Sequence, residues 1–334
     1  MLDVVTIGTA TRDVFITGEG FTVTRDRTFL EKLGFRAEEA ECFALGAKMD
    51  IERPTMTLGG GALNTAFAFS RLGFRAGACF KIGKDEFGEG ILMEVRTEKI
   101  TPFASFDTKE GTAYSTILLN PNGERTVLAY RGASSTLARR DIPVSKLKAS
   151  WAYIVSGHLS LPLLLSIVEE LKRQGARVAL APSAFHIAMG MRKLHPVFRN
   201  VSVVLMNREE ASRLTGEPYE KEKQIFRVFD GAVDGIAVMT EGQKGSLVSD
   251  GRYLYRAGVF PEKKLIDRTG AGDAFGAGFI AGLMGKNDVS YALRLASANA
   301  TSVVESIGAQ TGILTRKKFE DKRWKYLDLD VEPL

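Results

Sequence analysis

Short apolar runs rich in β-branched residues recur along the chain at 4–8, 151–156, 177–181, 201–206 and 235–240. Each is too short for a helix and is bounded by polar or glycine-containing residues, so each predicts a buried strand. Stretches at 161–174 and 209–215, with apolar positions three and four apart, predict helices between them. Residues 182–200 read as polar and irregular. The alternation predicts βα units and a mostly parallel sheet, an α/β fold.

Two regions break the alternation. Residues 113–119 and 125–131 are β-rich and flank Asn120-Pro121-Asn122-Gly123, and an Asn-Gly between such runs predicts a hairpin. Residues 18–57 are charged and interrupted by glycine, and they precede the run Gly59-Gly60-Gly61. They are expected to join the hairpin in one small antiparallel sheet, an arrangement suited to closing over a substrate and excluding water.

The sequence DRTGAGDAF, 267–275, is where chemistry is expected. Phe275, Phe279 and Leu283 recur at i, i+4 and i+8, which predicts a helix with one apolar face, and the small residues among them would let another backbone approach. Gly270, Ala271 and Gly272 then sit at the helix N-terminus, where free N–H groups and the helix dipole favour an anion. A carboxylate repels a phosphate placed there. Asp273 makes sense beside it as the group that takes a proton from an alcohol attacking that phosphate. The plainer reading is an acid in the first turn that complements the dipole.

Composition trims the alternatives. The 334 residues suit one large α/β domain or two smaller ones, and a single domain over 1–334 is expected. No apolar run approaches the ~18 residues of a spanning helix, so no membrane partner is expected. A net charge of +5, without a Lys/Arg run or a basic-aromatic module, gives no reason to expect nucleic acid. Cys42 and Cys79 make neither a disulfide framework nor a metal spacing, and Met1-Leu2-Asp3-Val4-Val5 lacks the basic start of a secretory signal. The expected compartment is the cytoplasm. The Walker motif is absent, because Gly83-Lys84 precedes Asp85 and Gly285-Lys286 precedes Asn287. The dinucleotide fingerprint fails because Gly276 falls one residue late after Gly270 and Gly272.

The stretch DRTGAGDAFGAGF resembles the C-terminal signature of the ribokinase-like PfkB family of carbohydrate and nucleoside kinases, and GGGALNTAFAFSRLG, 59–73, resembles its N-terminal glycine signature. The two lie in the family's order and at its separation. The resemblance implies a ribokinase-like three-layer α/β/α core and a small antiparallel β lid, formed by about 18–57 and 105–132. It implies transfer of the γ-phosphoryl group of ATP to a hydroxyl of a sugar or sugar-like acceptor. Asp273 would be the base, and Gly270, Ala271 and Gly272 the cradle for the migrating group. The acceptor would be held by Gly60, Gly61, Asn64 and, in the stretch IGTATRDVF, Asp13.

Shorter stretches extend the resemblance. KIGKDEFGEG is similar to a family turn and NPNGERTVLAYRGA to the lid hairpin. In MNREEASRLTG the resemblance assigns Asn207 and Glu210 to Mg²⁺, its waters and the phosphates. It places Thr240, Gly242 and Gly245 of TEGQKGSLV beside ATP, and Asn299 beside the base. A monovalent cation such as K⁺ would be ligated by Asp267, Thr269, Val303, Ser306, Gly308 and Gly312; an oxygen-only set suits a hard cation. A homodimer through the lid is also implied.

The acceptor stays open. Relatives often carry a Lys where this chain has Gly61, and neither Arg12 nor Arg131 decides whether the acceptor is phosphorylated. A nucleoside would need a base pocket, for which Phe15, Phe21 and Tyr114 are candidates. A non-catalytic sugar- or nucleotide-binding protein is the alternative of a different class.

Overall fold

The computed structural model describes residues 1–18, 22–32, 34, 39–120 and 125–334. Its strands in chain order are β1 (Leu2–Ile7), β2 (Thr11–Ile16), β3 (Thr22–Thr24), β4 (Ala40–Cys42), β5 (Thr55–Gly59), β6 (Ala76–Gly83), β7 (Thr101–Asp107) and β8 (Tyr114–Leu119). There follow β9 (Arg125–Tyr130), β10 (Ala149–Val155), β11 (Arg177–Ala181), β12 (Val203–Asn207), β13 (Ile236–Thr240), β14 (Ser246–Ser249), β15 (Tyr253–Ala257) and β16 (Leu329–Pro333).

Ten of these form one sheet in the order β16-β15-β14-β13-β12-β11-β10-β1-β6-β7. Pairings from β7 to β13 are parallel. Those from β13 to β16 are antiparallel. The chain runs outward from β1 in one direction through β6 and β7, and from β10 in the other through β11, β12 and β13. A crevice opens outside the carboxyl ends of the strands where the order reverses, here between β1 and β10.

Two apolar cores lie on the two faces of the sheet, as the period-two alternation of strand side chains requires. Val4 joins the core made with the helices Gly61–Arg71, Glu86–Thr97, Ala271–Lys286 and Val289–Val304. Val5 and Ile7 join the other, made with Leu161–Arg173, Met191–Phe198, Arg208–Thr215 and Glu222–Asp230. This is the expected three-layer α/β/α arrangement. Two expectations are corrected. Residues 182–200 are not irregular: they hold the helices Ala184–Ile187 and Met191–Phe198, and the second buries Leu194, Val197 and Phe198. The helix Ala271–Lys286 is buried on all sides rather than on one face, with residues Gly276 to Leu283 all inside. Glycines allow this. A Cβ on Gly278 would lie 2.8 Å from Ala296 Cα, and one on Gly282 2.4 Å from Ala292 Cα.

The small sheet has the order β5-β2-β8-β9. The β8–β9 pairing is the expected antiparallel hairpin, and residues 121–124 of its turn lie outside the described residues. Its composition differs from the expectation in three ways. Strand β2, outside both expected segments, lies inside the sheet and pairs with β8 in parallel; of the described residues in 18–57 only those of β5 join it; and residues 105–107 belong to β7 of the large sheet. Strands β3 and β4 form a separate pair, tied to the end of the hairpin by Asn120 Nδ2 donating to Glu41 Oε1 at 3.0 Å. Among the described residues, no helix is long and apolar enough to cross a membrane.

Candidate active site

The site is built from two glycine turns that each open a helix. Gly270 adopts a left-handed φ of +78°, and a Cβ there would lie 2.3 Å from Ala309 Cβ, so only glycine fits. The helix starts at Ala271, and its first-turn amides have no carbonyl within the helix to bond. Gly272 faces open space. One residue further, Asp273 Oδ2 accepts a hydrogen bond from Asn64 Nδ2 at 2.9 Å, and Asn64 Oδ1 accepts one from Gln310 Nε2 at 3.3 Å. Part of the residue remains accessible, yet its carboxyl is enclosed. Burial pushes the Asp273 carboxyl above the usual carboxylate range, against the lowering effect of Asn64.

The other turn is closed by its own neighbour. Gly60 has φ +90°, and a Cβ would come 2.5 Å from Thr9 O. Gly61 N donates to Thr9 Oγ1 at 3.1 Å and Ala62 N to Thr9 O at 3.1 Å. Above this turn stands Asp13, buried in β2. It accepts from Thr11 Oγ1 at 3.0 Å, and a Cβ on Gly59 would fall 1.9 Å from its Oδ2. Burial pushes the Asp13 carboxyl up, bonds from Thr11 and Ser115 oppose this, and the charge of Asp267 adds to it. Asp13, Asn64 and Asp273 therefore converge on the end of the sheet where the strand order reverses. Thr57, opposite Asp13 in β5, was not foreseen. Its Oγ1 is buried without a hydrogen-bond partner, a signal that only the folded structure carries.

Strand alternation removes several candidates from this face. Arg12 points the other way and pairs with Glu94 at 2.7 Å. Tyr114 stands beside Arg12 in register, with its ring 5.8 Å from that of Tyr130 and 6.0 Å from that of Phe87. Phe15 is buried with Ile117 and Leu119. These placements do not meet the expectation of a base pocket formed by Phe15 or Tyr114, and Phe21 lies outside the described residues.

Beside the cradle a cavity of about 190 Å³ opens. Thr240, Gly242, Gly245, Ala271 and Gly272 all line it, which brings the predicted nucleotide and phosphoryl residues together. Phe260, Ala300 and Val304 add an apolar wall that no sequence pattern announced. Gly245, at φ +93°, would place a Cβ 1.9 Å from Ala257 O, so the loop after β13 is glycine by necessity.

Asn299 is not among the residues that line this cavity. It is fully buried, donates from Nδ2 to Ala274 O at 2.8 Å and accepts from Leu314 N at 2.9 Å. Its amide is spent holding two backbone segments together, while Ala300 and Thr301 face the cavity instead.

Asn207 and Glu210 form a reciprocal cap on the helix Arg208–Thr215. Asn207 Oδ1 accepts from Glu210 N at 2.8 Å and Glu210 Oε2 from Asn207 N at 2.9 Å. They nevertheless stand near the cavity, because Asn207 pairs with Thr240 in register. Burial pushes the Glu210 carboxyl up. Arg208 was missed. It is buried, donates to Glu241 Oε1 at 2.5 Å and to Tyr219 O at 2.6 Å, and so ties the start of the helix Arg208–Thr215 to the segment after that helix and to the loop after β13.

The residues expected around a monovalent cation fall into two joined groups. Asp267 is fully buried; its Oδ1 accepts from Thr269 N at 2.9 Å and Thr269 Oγ1 at 2.7 Å, and its Oδ2 from Gly308 N at 2.9 Å. Val303 O accepts from Ser306 N at 3.1 Å, and Gly312 backs onto Val303, where a Cβ would lie 2.7 Å from Val303 Cα. An ionised carboxylate has about four lone-pair sites, so three donors leave room for a cation. Among the described residues, no group of three or more His, Cys, Asp or Glu could hold a metal.

A glycine turn at a helix N-terminus, an enclosed carboxyl at its edge and a cavity alongside thus lie together on an α/β core. Residues 34–316 match the pfkB family carbohydrate kinase description. An uncharacterized sugar kinase of Archaeoglobus fulgidus is 30% identical over 253 residues, covering 73% of this chain and 97% of its own. A ribokinase of Haemophilus influenzae is 27% identical over 267 residues, covering 78% and 85%. The adenosine kinase structure from Sinorhizobium meliloti superposes with a TM-score of 0.77 at 23% identity, covering 94% of this chain and 97% of that one. The chain belongs to the pfkB family of carbohydrate kinases. It is a transferase that uses ATP as phosphoryl donor.

Proposed function

We propose that the protein phosphorylates a hydroxyl of a neutral sugar or sugar-like polyol. Asp273 would take the hydroxyl proton as the oxygen attacks the γ-phosphoryl group of ATP, while the amides of Gly270, Ala271 and Gly272 receive the charge that builds on it. Asp13, Asn64 and the backbone of Gly60 and Gly61 would hold the acceptor. ATP would occupy the cavity beside Thr240, Gly242 and Gly245. The observation that carries this reading is the hydrogen bond from Asn64 to Asp273, which joins the two glycine signatures across 209 residues of sequence. Tyr114 faces away from Asp13 and so would not supply a base pocket for a nucleoside acceptor.

Mg²⁺ would lie among the phosphates with Glu210 reaching it through water, and its contribution is neutralisation of phosphate charge. A monovalent cation such as K⁺ would sit at Asp267 and the backbone oxygens of Thr269, Val303, Ser306, Gly308 and Gly312. The outward face of the small sheet exposes Met56, Tyr114, Leu128 and Tyr130, which supports a homodimer through the lid. Two unpaired cysteines, Cys42 and Cys79, agree with a cytoplasmic protein. The test is ADP release with ATP, Mg²⁺ and K⁺ against pentoses, hexoses, their phosphates, inositols and nucleosides. Turnover confined to sugar phosphates or nucleosides would refute the neutral-polyol reading; no turnover with any of them would refute the kinase assignment of the site.

A further inference from the structure

The turn that follows the helix Val289–Val304 touches three parts of the site within three residues. Ile307 packs into Phe15, Ile117 and Leu119, the buried apolar cluster of the small sheet. Gly308, at φ +80°, backs onto β5, where a Cβ would lie 2.8 Å from Thr57 Cγ2, and its N–H is held by Asp267 Oδ2 at 2.9 Å. Ala309 fills the space in front of Gly270, whose absent Cβ would come within 2.3 Å of it. Lid strands on one side and the phosphoryl cradle on the other thus share one spacer.

The lid end of this spacer is the end with something left to satisfy. Thr57 Oγ1 is buried without a partner, and Thr57 lies opposite Asp13 across the β2–β5 pairing. An unmade bond of this kind is costly, and it is relieved when a ligand or a small shift supplies the partner. The cradle end has no such slack, because Gly270 and Ala309 are in contact and close-packed groups move together or not at all.

We propose that residues 307–309 tie the position of the lid to the geometry of the cradle, with Ile307 and Thr57 as positioning residues for phosphoryl transfer. This rests on the kinase reading of the site. A lid drawn down on its acceptor holds the turn against Gly270 and sets the first amides of the helix Ala271–Lys286. By the reciprocity of linked equilibria, occupancy of the cradle draws the lid down.

The reciprocal arm is testable without knowing the acceptor. Amide hydrogen exchange, read by mass spectrometry on the full chain with and without Mg·ADP in potassium buffer, is followed at 270–274 and in the lid strands β2, β5 and β8. In the wild type Mg·ADP is expected to slow exchange several-fold at both places. In Ile307→Ala the slowing at 270–274 persists while that in the lid is lost, and Ile307→Val restores it. Where Ile307→Ala loosens β10 to β12 as well, Thr57→Ala, which removes the Gly308 contact without opening the apolar cluster, must show the same selective loss. A lid response to Mg·ADP equal to wild type in these variants, or absent from the wild type while 270–274 is protected, overturns the proposal. Failure of Mg·ADP to protect 270–274 in the wild type overturns the kinase reading and the proposal together.

Discussion

The two glycine turns look alike in sequence and are used in opposite ways. At Gly59-Gly60-Gly61 the chain spends its amides on itself: Thr9 takes the N–H of Gly61 through its hydroxyl and that of Ala62 through its carbonyl. At Gly270-Ala271-Gly272 the contact is looser: Ala271 N reaches Arg268 O at 3.4 Å, and Gly272 looks onto open space beside the cavity. In the proposed reading the first turn is a floor on which an acceptor would lie close to backbone. The second would receive an anion. What separates them is a single threonine, because a hydroxyl and a carbonyl at Thr9 are enough to fill the role that a phosphate would otherwise take.

Substitutions can break that contrast, and their expected effects fall in order. Asp273→Asn should lower kcat by roughly 10²–10⁴-fold with acceptor and nucleotide affinity little changed, measured by steady-state kinetics and calorimetry. The same variant should be more stable than wild type at neutral pH. A carboxyl whose folded pKa is raised contributes stability that is complete below its unfolded pKa and is lost as pH rises through the folded value. The gain should therefore vanish in acid, which thermal melts against pH would record. The kcat of the wild type should likewise fall with decreasing pH through an inflection above the usual aspartate value of 3.8.

Gly270→Ala should destabilise the fold by roughly 2–5 kcal/mol, from the left-handed φ and the collision with Ala309 together, visible in urea unfolding. Gly272→Ala sharpens the contrast within the same turn. Its Cβ meets nothing, so stability should hold or rise by up to ~1 kcal/mol from helix propensity, while kcat drops on the order of 10²-fold because the methyl group crowds the phosphoryl. A variant with wild-type turnover would remove Gly272 from the cradle. The smallest effect belongs to the floor. Thr9→Val should cost about 1 kcal/mol of stability and raise the acceptor KM, leaving the KM for ATP unchanged.

Much of the fold was legible where one physical signal dominated. The strands at 151–156, 177–181 and 235–240 were readable because parallel strands buried on both faces are short continuous apolar runs. Strand β6 escaped because its eight buried residues include two glycines and Lys81, whose charge is matched by Asp107 at 3.0 Å and Asp141 at 3.2 Å, partners that only the fold brings near. The helix Met191–Phe198 escaped because Pro196 sits inside it and mimics a break.

The site divides the same way. Gly270, Gly245 and Gly60 were readable as motif glycines, and the close backbones at Ala309, Ala257 and Thr9 supply the reason for each. Asn299 was ambiguous because a polar residue inside a helix announces a need for partners without saying whether they are ligand or backbone. Arg208 and Thr57 could not have been singled out, since their importance lies in contacts with Glu241, Tyr219 and Gly308 that only the fold makes.

Strand β2 carries two instructions on alternate residues. Asp13 and Phe15 face inward over the acceptor floor and the turn at Ile307, while Arg12 faces outward with Tyr114. Loss or gain of one residue in this strand would exchange the two sets, turning the acceptor acid to the outside and a guanidinium toward Asp267. Descendants of this sequence can therefore explore new acceptors or new lid contacts by replacing side chains here, but length change is closed to them. The side chains proposed to hold the acceptor and those proposed to meet a partner subunit thus share a reading frame of six residues.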